Sequence, residues 1–251
     1  MNNKPDNTCQ LLRRALASQV ELGISEVIIS RNPRRIAKSD LQTAPPSVVS
    51  SELFPDQNTE LLGRAEYDSL ASHNAAICNC LKCPLGKTRT KFVYGVGNPS
   101  AKIVFVGEGP GKTEDEIGEP FVGQAGKLLD KILAAINFDR TQVYILNMVK
   151  CRPPENRAPL PEEMDACHPY LLEQLRLLRP KLICALGRVA AVGLLKTNGS
   201  LGSLRGHWHE FKGIEVIVTY HPAALLRNPE WKKDTWKDMK KLRARYDELV
   251  K

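Results

Sequence analysis

The sequence has no apolar run approaching the ~20 residues that a membrane-spanning helix requires. Its first thirty residues, MNNKPDNTCQLLRRALASQVELGISEVIIS, lack a positive segment followed by an uninterrupted apolar stretch. Neither a membrane span nor a secretory leader is therefore expected, and the chain reads as soluble and cytoplasmic. Its seven cysteines are odd in number, which together with the missing leader argues against a disulfide framework. No segment repeats. The glycine-rich stretch Gly107-Glu108-Gly109-Pro110-Gly111 has neither the GKS/GKT ending of a phosphate loop nor the G-x-G-x-x-G spacing of a dinucleotide turn. A nucleotide- or phosphate-binding α/β enzyme is disfavoured on that ground.

What is present suits a globular protein with a polyanionic partner. Of the 251 residues 42% are apolar, enough for a substantial core, and the formal charge is +8. Positive charge favours nucleic acid, because each phosphate neutralised by Lys or Arg releases counterions. Residues 1–58 differ from the rest. An amphipathic stretch over Thr8–Leu22 predicts a short helix, and TAPPSVVSSELFPDQ from Thr43 reads as a Pro/Ser-rich linker. This segment is expected to be a mobile extension, with residues 59–251 forming one domain.

Within that domain a helix is predicted over Glu60–Ile77. Four short apolar runs then read as strands covered on both faces: Lys102–Gly107, Gln142–Asn147, Lys181–Leu186 and Glu215–Tyr220. Between or after them come helical patterns over Gln124–Asn137, from Pro161 onward with a kink or restart at Pro169, over Arg188–Lys196 and over Trp231–Leu249. This alternation predicts a three-layer α/β/α fold around a central four-stranded parallel sheet.

In such a sheet, ligands bind beyond the carboxyl ends of the strands. Glu108 follows the first run, Asn147 ends the second, Gly187-Arg188 follow the third and His221 follows the fourth. An acid, an amide and an imidazole thus share one rim. Glycines flanking Glu108 imply close backbone approach to a ligand, with one carboxylate pointing into it. After His221 comes PAALLRNP, in which Leu225 and Leu226 could fill the space left by an extruded base while Arg227 and Asn228 hold the strand. The plainer alternative is a loop packed on its own domain.

Cys80-x-x-Cys83, Cys151 and Cys167 give four thiolates in two regions, a set that suits either zinc or an iron–sulfur cluster. Cys78 lies close enough in sequence to replace Cys80. Cys184 falls inside an apolar strand, where a buried free thiol is the ordinary state.

From about Ile77 to Lys251 the chain resembles the family 4 uracil-DNA glycosylases. The resemblance rests on CLKCPL at 80–85, VGEGPG at 106–111, PFVGQAGKLLD at 120–130, NMVKCRPPENRAPLP at 147–161 and HPAALLRNP at 221–229. It implies that Cys80, Cys83, Cys151 and Cys167 hold a [4Fe-4S] cluster with a structural role. It further implies that Glu108 is the acid of the first catalytic motif, that Phe121 stacks on uracil, that Asn147 reads the base edge and that His221 faces the pyrimidine O2. Glu114 stands where the family often has a second acid, and a backbone N–H near Glu108 or Gly109 would help hold the anion. Family 5 carries an apolar or small residue in place of Glu108, and a cross-linking branch has a basic, His-containing insertion that is missing here. The expected activity is monofunctional hydrolysis of the uracil N-glycosidic bond in DNA repair, because no lysine is placed for Schiff-base chemistry. A monomer acting on uracil-containing DNA is expected, with the extension available for a replication or repair protein. A non-enzymatic DNA-binding protein on the same scaffold is the alternative.

Overall fold

The computed structural model describes Arg13, residues 16–20 and residues 67–250. Four parallel strands form the centre of the sheet: β2 (Ile103–Gly107), β3 (Tyr144–Asn147), β4 (Leu182–Leu186) and β6 (Ile214–Thr219). They lie in the order β3-β2-β4-β6. The sheet is wider than the sequence suggests. Two short antiparallel strands extend it, β1 (Val96–Gly97) on β3 and β5 (Trp208–Phe211) on β6, which makes six strands among the described residues. β5 and β6 form a hairpin whose two-residue turn, Lys212-Gly213, has positive φ at both positions, 49° and 76°. That backbone matches the right-handed twist of the paired strands.

Side-chain alternation along the strands divides the core in two. Phe105, Ile145, Cys184 and Ile217 face one side and pack with Leu129, Leu133, Trp236 and Met239. These come from helices α4 (Gln124–Ala135) and α9 (Lys232–Leu249). Val104, Leu146, Ile183 and Val216 face the other side and pack with Leu171, Leu175 and Ala191. Those lie on α5 (Pro161–Leu178) and α6 (Arg188–Leu195). Helices on both faces leave only the strand ends open, so the carboxyl rim is where a ligand can reach the backbone. The remaining helices are short: α1 (Leu70–Ile77), α2 (Leu85–Thr88), α3 (Lys112–Ile117), α7 (Leu201–Leu204) and α8 (Pro222–Arg227).

Several expectations are revised. α1 begins at Leu70, where the Ser69 hydroxyl accepts from the Ser72 N–H, so residues 67–69 precede the helix; residues 60–66 lie outside the described residues. α5 runs through Pro169 without interruption. Pro169 costs one backbone donor, but the packing of Tyr170, Leu171 and Leu175 on the core holds the helix together. Within the N-terminal extension, residues 16–20 are helical, and buried Gln19 donates from Nε2 to the Ala135 carbonyl at 2.8 Å. That bond satisfies a carbonyl at the end of α4, where the helix leaves its own acceptors open. The rest of residues 1–58 lies outside the described residues.

Candidate active site

Gly107 and Asn147 sit opposite each other in the register of β2 and β3. Pairing continues past both strand ends, with Met148 N–H donating to the Gly107 carbonyl at 2.9 Å and Val149 N–H to that of Glu108 at 3.2 Å. The two loops therefore leave the sheet together. Between them and α8 opens a pocket of about 410 Å³ lined by Glu108, Gly109, Glu114, Phe121, Asn147 and His221, with Asn156, Arg157 and Arg227 also on its wall. The acid, amide and imidazole expected on the rim share this one cavity.

Asn147 is 2% exposed, and its Oδ1 has no hydrogen-bond partner among the described residues. An unsatisfied buried acceptor is expensive unless a ligand completes it. Gly107 makes room for it: a Cβ there would collide with Asn147 Oδ1 and with the Phe121 ring. Phe121 is buried and held at φ 55°, a left-handed backbone that a bulky residue rarely adopts. Its ring lies 5.4 Å from that of His221, tilted by 33°. Glu114 holds the segment just after it, with Oε1 accepting from Val122 N–H at 3.0 Å and Gly123 N–H at 2.8 Å. The second acid is thus tied to the backbone of the Phe121 loop while lining the pocket.

His221 caps α8. Its Nδ1 accepts from the Ala223 N–H at 3.1 Å, so the neutral ring carries its proton on Nε2. Burial, reinforced by the Arg227 cation and opposed by Glu114, lowers its pKa to about 4. The ring is therefore a neutral donor at physiological pH. Gly187, at φ 88°, lets β4 turn away beneath it, since a Cβ there would press on His221 Cβ. Glu108 has its carboxyl pKa raised by burial, which makes the carboxylate a stronger base than one in water.

Away from the pocket, Cys80, Cys83, Cys151 and Cys167 gather in one apolar cluster with Ile77, Leu85, Val149 and Tyr170. Tyr170 donates its hydroxyl to Cys80 Sγ at 3.2 Å, and Arg89 Nη1 approaches Cys151 Sγ at 3.4 Å. The same guanidinium binds the carbonyls of Cys80 and Cys78 at 2.6 and 3.0 Å, fixing the path of the first pair. Burial raises the thiol pKa of Cys151 to about 11 and raises that of Cys167 too. Among the described residues, no three Cys, His, Asp or Glu side chains close on a point that would hold a single metal ion. Cys78 lies outside this group, with Sγ toward the Ala75 carbonyl at 3.5 Å, and Cys184 is fully buried in β4.

Residues 94–240, more than half of the chain, match the family model described as the uracil DNA glycosylase superfamily. The type-4 uracil-DNA glycosylase of Archaeoglobus fulgidus is 47% identical over 174 residues, covering 66% of this chain and 87% of that protein. Its counterpart from Pyrobaculum aerophilum is 44% identical over 171 residues, or 65% and 87% of the two chains. That from Sulfurisphaera tokodaii is 45% identical over 185 residues, or 70% and 84%. This chain belongs to the uracil-DNA glycosylase superfamily, in its type-4 branch.

In this glycosylase the loop after His221 departs from expectation at one residue. Leu225 is fully buried in the core beneath α4 and cannot act as a wedge, whereas Leu226 is 49% exposed. Single-turn α8 points its two leucines in different directions, so only one remains on the surface. Arg227 is exposed on the pocket side, and Asn228 uses Nδ2 to donate to the Ala224 carbonyl at 3.1 Å. Sequence reasoning missed Arg140 and Arg89, both of which act on backbone carbonyls. No motif marks such contacts.

Proposed function

We propose that the protein removes uracil from DNA as a monofunctional glycosylase, hydrolysing the N-glycosidic bond and leaving an abasic site. The observation that carries this reading is the unpartnered, buried Oδ1 of Asn147 beside the Phe121 ring. A flipped uracil stacked on Phe121 supplies the missing donor from N3–H, while the Asn147 amide nitrogen donates to O4. Cytosine offers an amino group and no N3 proton, so both contacts fail and the rejection is polar rather than steric.

Bond cleavage then follows from the groups at hand. Water adds to C1′ of the sugar as the N1–C1′ bond breaks, and the bonding electrons leave on the uracil ring. His221 donates from Nε2 to the developing charge on O2, aided by a backbone N–H at Glu108 or Gly109. Glu108 orients the water, takes its proton and faces the positive character of the sugar. Leu226 and Arg227 are positioned to meet the strand from which the base departs, with Asn228 fixing the end of their helix. The four thiols fit an iron–sulfur group, being an all-sulfur donor set gathered in one apolar cluster with an N–H and an O–H donor on its sulfurs. Such a group would clamp the segment before β1 to the loop after β3.

Single-turnover release of uracil from a labelled oligonucleotide tests the reading, with Glu108→Ala as the comparison. Rapid release by the wild type and strongly slowed release by the variant are expected. No release by the wild type would leave only a DNA-binding protein.

A further inference from the structure

We propose that Arg140, oriented by Asp130, is a positioning residue that locks Phe121 in its base-stacking conformation; this rests on the stacking role assigned above. Phe121 has φ 55°, and nothing about a phenylalanine favours that left-handed backbone. The surroundings must impose it. Arg140 spans the bend with its two terminal nitrogens, Nη2 donating to the Pro120 carbonyl at 2.7 Å and Nη1 to the Phe121 carbonyl at 2.8 Å. Asp130 accepts from the same Nη1 at 3.1 Å and fixes the plane of the fork. On the other side of the bend, Glu114 takes the Val122 and Gly123 N–H groups. The backbone around Phe121 is therefore gripped at two successive carbonyls and two successive amides.

The geometry is specific to a planar, two-pronged donor. A lysine could reach one of the carbonyls but not span both. Arg140 does not line the pocket, so it can affect the base only through Phe121. Gly126 completes the device from below, since a side chain there would strike the Phe121 carbonyl and push it off the guanidinium. The clamp fixes the ring against His221, and the slot for the flipped base is shaped before DNA arrives. Misplacement of such a wall by about 1 Å is enough to cost up to a hundredfold in rate.

The test combines activity with a readout that does not depend on it. In single-turnover uracil release, Arg140→Ala is expected to be slowed by about tenfold to a hundredfold, with Arg140→Lys and Asp130→Asn intermediate. Phe121→Ala alone should be slow, and the Phe121→Ala/Arg140→Ala pair no slower than that within about twofold, because both changes remove the same wall. In the full-length, cluster-loaded protein with labelled histidine, the His221 ring resonance carries the ring-current shift of Phe121. Arg140→Ala should move that resonance in the direction that Phe121→Ala does. Multiplying rate effects in the double variant, or a His221 resonance unmoved by Arg140→Ala, would overturn the clamp. Arg140→Lys and Asp130→Asn carry the same two measurements should Arg140→Ala fold poorly. A wild type that releases no uracil would refute the activity itself, and the His221 resonance would still decide whether the clamp exists.

Discussion

At the scale of single residues, the proposed function assigns base choice and bond cleavage to different side chains, so the two can be separated. In the proposed reaction Asn147 presents a fixed amide to the base edge, and reversing its donor should reverse its preference. Asn147→Asp is expected to lower uracil release by about fivefold to a hundredfold, in keeping with the ~1–3 kcal/mol of a buried hydrogen bond left unmade. It should also admit slow release of cytosine, whose amino group can donate to the carboxylate; paired uracil- and cytosine-containing oligonucleotides measure both. His221 is proposed to act on the leaving group instead. His221→Ala should reduce the single-turnover rate by about 10²–10³-fold with little change in DNA affinity, as when one donor to a developing anion is removed. Because burial holds its pKa near 4, that advantage should be constant from pH 8 to about pH 5 and fade only toward pH 4, where protonation of Nδ1 removes the acceptor for Ala223. The same shift has a stability cost. The unfolded chain protonates this ring near 6.5 and the folded chain does not until about 4, so stability is lost as pH drops from about 6.5 to about 4. Glu108, Asn147 and His221 were legible in the sequence because each ends or directly follows an apolar run whose end must lie at the rim. The grip of Glu114 and Arg140 on the Phe121 loop was not, since backbone contacts made across 8 to 20 residues leave no spacing signature.

At the scale of elements, the four central strands and their helices were readable because continuous Val/Ile runs and 3.6-residue stripes are the direct imprint of burial on two faces and on one. The edge strands were not. β1 is two residues long, and β5 has only Phe211 buried, so neither carries a hydrophobic pattern. Lys212-Gly213 was the available sign of the second, a turn dipeptide before a strand. The same limit explains the leucine pair of α8, whose six residues are too few to define a stripe. Leu225→Ala should destabilise the fold by about 2–5 kcal/mol through the cavity it leaves. Leu226→Ala should leave stability within about 0.5 kcal/mol and weaken DNA binding; denaturant melts and affinity for abasic-site DNA distinguish the two. The cysteine segment gives a parallel contrast. If the four thiols hold the proposed iron–sulfur group, Cys78→Ser should retain iron and visible absorbance in the purified protein, while Cys80→Ser should lose both, since Cys80 joins the apolar cluster and Cys78 does not.

At the scale of the whole molecule, the excess of positive charge has a direction. The core face of α9 carries Thr235, Trp236, Asp238, Met239 and Leu242. Lys233, Lys237 and Lys241 are exposed at intervals of four residues, one ladder along the opposite side. The ladder borders a cleft lined by Arg205, His207, Asp234 and Asp238, and Lys241 Nζ anchors the loop at the Gly206 carbonyl at 2.6 Å. Gly206 in turn donates to the Val218 carbonyl, three residues before His221, which places the cleft near the same rim as the pocket. A row of cations thus lies near that rim, with Lys237 also paired with Asp234 at 3.1 Å. If the row follows a phosphate backbone, replacing all three lysines by alanine should weaken binding equally for uracil-containing and undamaged DNA. The slope of log K against log salt should then shrink by about 0.9 for each phosphate no longer neutralised. Uracil release at saturating DNA should be unchanged, because none of the three lines the pocket. Titrations of a short duplex at several salt concentrations read the slope directly, and an unaltered slope would mean that these lysines do no more than keep the outer face of α9 in water.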